Sequence, residues 1–157
     1  MYGRKELFRN LEKYHGTFTH IKFDNQASYV GDIQKGGDDS NDYITILTQS
    51  VFAGAPRGDQ LFSYRFSEIL SAGAIPVIYS SELLLPFHTV INWTECAVLV
   101  EEGQDTLDIL RAIHPERVCE MQMRALDAWD TYISSRSGWL RGLVDVALTL
   151  PHSSILE

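Results

Sequence analysis

Between Phe52 and Glu82 the chain gathers residue types suited to one piece of chemistry: Arg57, Gly58, Ser63, Arg65 and Glu68. Arginine carries a planar fork of donors that can grip two phosphate oxygens at once, which lysine cannot reproduce. Gly58, in the turn Pro56-Arg57-Gly58, lets the backbone approach a ligand closely, and Ser63 adds a hydroxyl donor. Glu68 brings two acceptor oxygens, a match for neighbouring sugar hydroxyls. Such a set suits a nucleotide diphosphate carrying a sugar, with Arg57, Gly58, Ser63 and Arg65 at the diphosphate and Glu68 at the ribose. A plainer reading stands beside it. Arg65 and Glu68, three residues apart on a helix, also make an exposed ion pair worth about 0.3–0.5 kcal/mol. The Pro-Arg-Gly turn is likewise ordinary turn chemistry on its own.

The elements that must position these residues are legible in the same stretch. Val51 to Ala55 reads as a short buried strand. The spacing then predicts a helix over 60–72, with Phe62, Phe66, Ile69 and Leu70 on one stripe and Arg65 and Glu68 on a flank away from it. Gly73 stands where a left-handed residue would end that helix. Ala74 to Ser80 is a nearly continuous apolar run, as a parallel strand covered on both faces should be. This order sets a helix N-terminus, with its unpaired N–H groups, beyond the carboxyl end of a parallel strand, where open sheets bind ligands.

Upstream, Leu7, Phe8, Leu11 and Tyr14 predict a helix over 4–15, and Thr17 to Phe23 predicts a strand. Gly31 to Asp42 lacks apolar periodicity and reads as a polar surface loop, and Tyr43, Ile46, Leu47 and Val51 suggest a short helix. Downstream come a strand at 97–100 and helices at 106–114, 115–134 and 139–148, the second opened by Pro115 at its first position. Helix and strand in alternation predict an α/β fold, a Rossmann-like parallel sheet with helices on both faces. At 157 residues the chain is expected to form one domain, 1–157, with a motif core at 50–100 and C-terminal helices at 105–150. The first strand of a complete nucleotide-binding half is expected to be missing or to lie upstream.

Other chemistries fare worse. A net charge of −8 disfavours nucleic acid as a partner, because that binding depends on neutralising phosphates with cations. The N-terminus has no apolar core of a signal peptide, and no run approaches the ~18 apolar residues of a membrane span, so the chain reads as soluble with no membrane segment. His15, His20, His88, His114 and His152 are scattered. Asp38, Asp39 and Asp42 resemble a calcium loop superficially, but the glycine required at its sixth position is Tyr43. Neither a metal nor another cofactor is expected. Cys96 and Cys119 read as two buried or semi-buried thiols, with a single disulfide as the alternative. Asn92-Trp93-Thr94 is a formal N-glycosylation sequon whose tryptophan reads first as a packing residue.

The run from Ser50 to Val100 resembles the exostosin-like glycosyltransferases, glycosyltransferase family 47. The resemblance rests on Phe52 with Pro56-Arg57-Gly58, on Ser63, on Arg65-Phe66 with Glu68, on Gly73, on Pro76-Val77-Ile78, on Pro86-Phe87 and on Ile91-Asn92-Trp93. It implies the C-terminal, donor-binding half of a GT-B fold, two Rossmann-like domains facing across a cleft. It also implies transfer of a sugar from a uridine or guanosine diphosphate donor to a glycan acceptor, with inversion and without a bound metal. Members usually work on the lumenal side of the Golgi membrane. On this carry-over Arg57 and Arg65 neutralise the leaving diphosphate, Gly58 and Ser63 line its phosphate end, and Glu68 holds the ribose. The acceptor and the general base are expected on an N-terminal half that the chain lacks. The alternative is a non-catalytic α/β module or an inactive remnant, with Phe52 to Trp93 serving only as packed core.

Overall fold

The computed structural model describes residues 39–55, 64–79, 84–101 and 103–150. The helix expected at 4–15, the strand at 17–23 and the loop segment 31–38 lie outside them. A first helix, α1 (Asp39–Gln49), leads into β1 (Phe52–Ala55). Residues 39–42 therefore open a helix instead of closing the polar loop expected there. Asp, Ser and Asn are the types that favour a helix start, and a first turn built wholly of polar residues shows no apolar periodicity to read.

α2 (Tyr64–Ser71) follows, then β2 (Ile75–Ile78). The α2 stripe is completely enclosed: Phe66, Ile69 and Leu70 are each at most 1% exposed. The helix ends as its glycine predicts. Gly73 takes φ +76°, its N–H donates to Leu70 O at 3.0 Å, and Ala74 N–H donates to Ile69 O at 3.2 Å. These two bonds form a Schellman motif, which glycine enters without the strain a Cβ would bring. The Gln122 side-chain amide reinforces the corner, its Nε2 donating to Gly73 O at 3.1 Å.

β1, β2 and β3 (Val98–Leu99) form a parallel sheet in that order, with Phe52 opposite Ile75 and Val77 opposite Val98. All four residues of the central strand β2 are buried. Pro76 is tolerated there because successive N–H groups point to alternate sides of a strand. Ile75 N–H donates toward β1, to Val51 O at 2.8 Å, so the missing N–H of Pro76 faces the other side, where β3 pairs only from Val77 onward.

The residues of β2 divide between two cores. Ile75, Val77 and Tyr79 join Val98, Val100 and Met121, packed against Ile109, Leu110, Ile113 and Val118. Ile78 joins the larger cluster around Phe66, Phe87, Trp93 and Ala125. The first cluster is completed by α3 (Thr106–Ala112) and the start of α4 (Pro115–Ala128), the second by α2 and the rest of α4. The fold is thus α/β, a three-stranded parallel sheet with helices packed against it, consistent with the Rossmann-like expectation.

Beyond β2 the chain turns at Pro86 to Val90 and enters a short 3₁₀ turn, Trp93–Glu95. Trp93 is the packing residue expected, 5% exposed, with its ring edge-on to Phe66 at 5.0 Å and its Nε1–H donating to Pro86 O at 2.8 Å. Asp105 caps α3 by accepting from Leu107 and Asp108 N–H, and Pro115 opens α4. α4 stops being regular at Ala128. A π turn, Trp129–Ile133, replaces the helix expected to 134, and α5 (Arg136–Thr149) starts earlier than 139, capped by Ser135 Oγ accepting from Gly138 N–H at 3.0 Å. Cys96 is buried and Cys119 exposed, and both are free thiols, so the paired alternative does not hold and only one of the two is buried.

Candidate functional site

The site begins where β1 ends. Ala55 is fully buried at the carboxyl end of the strand, and α2 starts nine residues later at Tyr64. Arg57, Gly58 and Ser63 fall in the interval 56–63, outside the described residues. Arg65 and Glu68 are described, one in the first turn of α2 and one in the next. The helix turns 100° per residue, so burying Phe66, Ile69 and Leu70 leaves Arg65 and Glu68 together on the outer flank. Their side chains are 45% and 49% exposed, as the flank position requires.

The two groups meet on one carboxylate oxygen. Arg65 Nη1 lies 3.6 Å from Glu68 Oε2, and the Tyr43 hydroxyl donates to the same Oε2 at 3.0 Å. The Arg65 guanidinium in turn sits over the Tyr43 ring, 4.6 Å from its centroid. A cation over an aromatic face is held by the ring quadrupole, by about 0.5–1 kcal/mol at an exposed place. Three side chains from two elements, α1 and α2, therefore fix one another. Burial pushes the Tyr43 hydroxyl above its ordinary range; the Arg65 charge pulls it down, and the bond to Glu68 pushes it up again. The phenol stays protonated and acts as a donor at neutral pH.

Tyr43 is the member that sequence reasoning missed as a site residue. It was legible only as one apolar position of a short helix, and half of it does pack against the larger core. Its partner Glu68 is 25 residues away, and no local spacing connects them. The only available signal was its hydroxyl, a polar tip on a helix face otherwise built of isoleucine and leucine.

What the arrangement can do follows from its parts. It presents a cation and a carboxylate of fixed orientation on one flank, directly after the segment that carries Arg57, Gly58 and Ser63. An anionic group can be received by the arginine while hydroxyl donors are received by the carboxylate. Among the described residues no cluster of three or more histidine, cysteine, aspartate or glutamate side chains is able to hold a metal ion. Nor is any described helix long and apolar enough to cross a membrane.

Comparison with known proteins gives this flank a family. The Exostosin GT47 domain model matches residues 4–113, which takes in α1, the sheet, α2 and α3. Exostosin-1 of Drosophila melanogaster is 38% identical over 99 residues, covering 62% of this chain and 13% of its own length. Exostosin-1 of Bos taurus is 37% identical over 96 residues, 60% of this chain and 13% of that protein. The Exostosin-1 homolog of Caenorhabditis elegans is 37% identical over 97 residues, 60% of this chain and 25% of that protein. The chain thus spans from about an eighth to a quarter of the length of these relatives. With the family model matching more than half of its residues, the chain belongs to the exostosin GT47 family of glycosyltransferases.

Proposed function

We propose that this chain is the donor-binding half of a glycosyltransferase, the C-terminal Rossmann-like half of a GT-B fold. It binds a uridine or guanosine diphosphate sugar and serves an inverting transfer to a glycan acceptor. The observation that carries this reading is the joint placement of Arg65 and Glu68 on the outer flank of α2, the helix that follows β1 in the chain, held by Tyr43.

The chemistry asked of the residues is mainly electrostatic. Breaking the bond between sugar and diphosphate develops charge on the leaving oxygen, and a positioned cation stabilises that charge more in the transition state than before it. Arg57 and Arg65 take this role, with Gly58 and Ser63 lining the phosphate end. Glu68 accepts from the ribose hydroxyls and so sets the depth of the nucleotide. An inverting transfer also needs a base to deprotonate the acceptor hydroxyl. We assign that base, and the acceptor glycan, to a second Rossmann-like half outside these 157 residues. The working compartment on this reading is the lumenal side of the Golgi membrane.

A second reading has one observation in its favour. The Arg65–Glu68 pair is satisfied within α2 and by Tyr43, as an exposed ion pair in a non-catalytic module would be. Thermal-shift titration with uridine and guanosine diphosphates separates the two. At a hundredfold excess over its dissociation constant, a ligand selective for the folded state stabilises by about 2.7 kcal/mol. We expect such a shift with one of the two nucleotides, and its loss in Arg65→Ala and Glu68→Ala. No shift at millimolar nucleotide, or a shift unchanged in both variants, favours the non-catalytic module.

A further inference from the structure

The turn after Phe87 holds a feature that donor binding does not use. Ile91-Asn92-Trp93 is followed by Thr94, which completes the only Asn-x-Ser/Thr sequon among the 157 residues. We propose that Asn92 carries an N-linked oligosaccharide, acquired from a lipid-diphosphate-linked donor in the lumen of the secretory pathway. The proposal rests on the lumenal part of the reading above.

The three residues divide their duties. Trp93 points inward and pins the turn through Phe66 and Pro86 O. Asn92 and Thr94 are both exposed and lie side by side, with Thr94 Oγ1 donating to Asn92 Oδ1 at 2.7 Å. That bond engages the amide oxygen, and the sugar would be joined to the nitrogen. Asn92 precedes the 3₁₀ turn yet makes no side-chain cap to it; the turn is closed by its backbone oxygen, which accepts from Glu95 N–H at 3.0 Å. The side-chain amide is therefore not needed to hold the fold, and a bulky hydrophilic group there meets solvent.

In the step itself, a bond forms between Asn92 Nδ2 and the anomeric carbon of the donor oligosaccharide. The anomeric carbon–oxygen bond breaks, the lipid diphosphate leaves with the electron pair, and the proton lost from Nδ2 passes to the transferring enzyme. The acceptor triplet must enter that enzyme as an extended segment. Trp93, 5% exposed once folded, closes this route, so transfer has to precede the packing of Trp93 on Phe66. A glycan on Asn92 would also mark this face as one that no second half covers.

The test is to pass the full chain through the secretory pathway of a eukaryotic cell behind a cleaved leader, with a control sequon in an appended tail. Intact mass and peptide mapping then read each site. We expect one oligosaccharide at Asn92, removed by peptide N-glycosidase with conversion of Asn92 to aspartate, lost in Thr94→Ala and kept in Thr94→Ser. An unmodified Asn92 in molecules whose control sequon is occupied would overturn the proposal. Because the readout is mass and needs no nucleotide, it can fail while donor binding stands, and donor binding can fail while the glycan is present.

Discussion

α2 and α5 solve the same problem, attachment to the body of the protein, by opposite means. α2 buries volume: Phe66, Ile69 and Leu70 fill the larger core, and what remains outside is Arg65 and Glu68. α5 buries the absence of side chains. Its enclosed residues are Gly138 and Gly142, and an added Cβ at Gly142 would stand 2.6 Å from the Phe87 ring. Its large apolar residues face outward instead, with Leu140, Leu143 and Leu148 at 64%, 58% and 72% exposed. An apolar surface of this kind is unusual on a solitary domain. The apolar content of α2 thus accounts for its own attachment, whereas α5 gives the larger core only Val146 and the edge of Trp139 against Phe87 and turns its leucines outward. The difference teaches that hydrophobic residues on a helix do not by themselves say which face is inside.

This contrast can be broken by substitution. Phe66→Ala should cost most, about 3–5 kcal/mol in urea unfolding, through lost burial and a residual cavity. A cost below about 1 kcal/mol would show that the core collapses freely. Gly142→Ala should destabilise by about 1–3 kcal/mol, since the Phe87 ring has to give way. Gly73→Ala, which forces a Cβ into the left-handed region at φ +76°, should cost about 1–2 kcal/mol.

Leu140→Gln with Leu148→Gln should shift stability by no more than about 0.5 kcal/mol each while reducing self-association measured by light scattering. A large loss of stability would mean that the outward stripe of α5 is covered within the chain after all. The mildest effect is that of alkaline pH. Burial pushes the Cys96 thiol above its ordinary value, so the folded chain holds this proton more tightly than the unfolded one. Its contribution is present below about pH 9 and lost as pH climbs through the raised value. Urea midpoints measured on either side of pH 9 should fall less in Cys96→Ala than in the parent.

The parts of the fold legible in the sequence were those specified by neighbours along the chain. The apolar stripe of α2, the helix-ending Gly73, the continuous run of β2 and the opening of α4 at Pro115 each depend on a few adjacent residues. The strands came out shorter than their apolar runs because pairing, not composition, ends a strand: β3 is only Val98–Leu99 although Ala97 and Val100 are also buried. Arg65 and Glu68 were legible as a pair for the same local reason. Tyr43 was not, because its bond to Glu68 is made by the packing of α1 beside α2. The π turn left no trace either, since tryptophan, tyrosine and isoleucine at 129–133 continue a helical pattern perfectly well.

That turn has a consequence for chain length. Ser134 N–H reaches back five residues, to Trp129 O at 2.8 Å, where a regular helix reaches four. One residue is therefore accommodated as a bulge. Removing one residue from Trp129–Ile133 would let the segment wind as an ordinary helix while the residues after it kept close to their present directions, so Gly142 would still meet Phe87. The same deletion in the regular part of α4 would instead turn everything after it by about 100°. The wide turn absorbs a one-residue difference in chain length that a regular helix would pass on as a rotation.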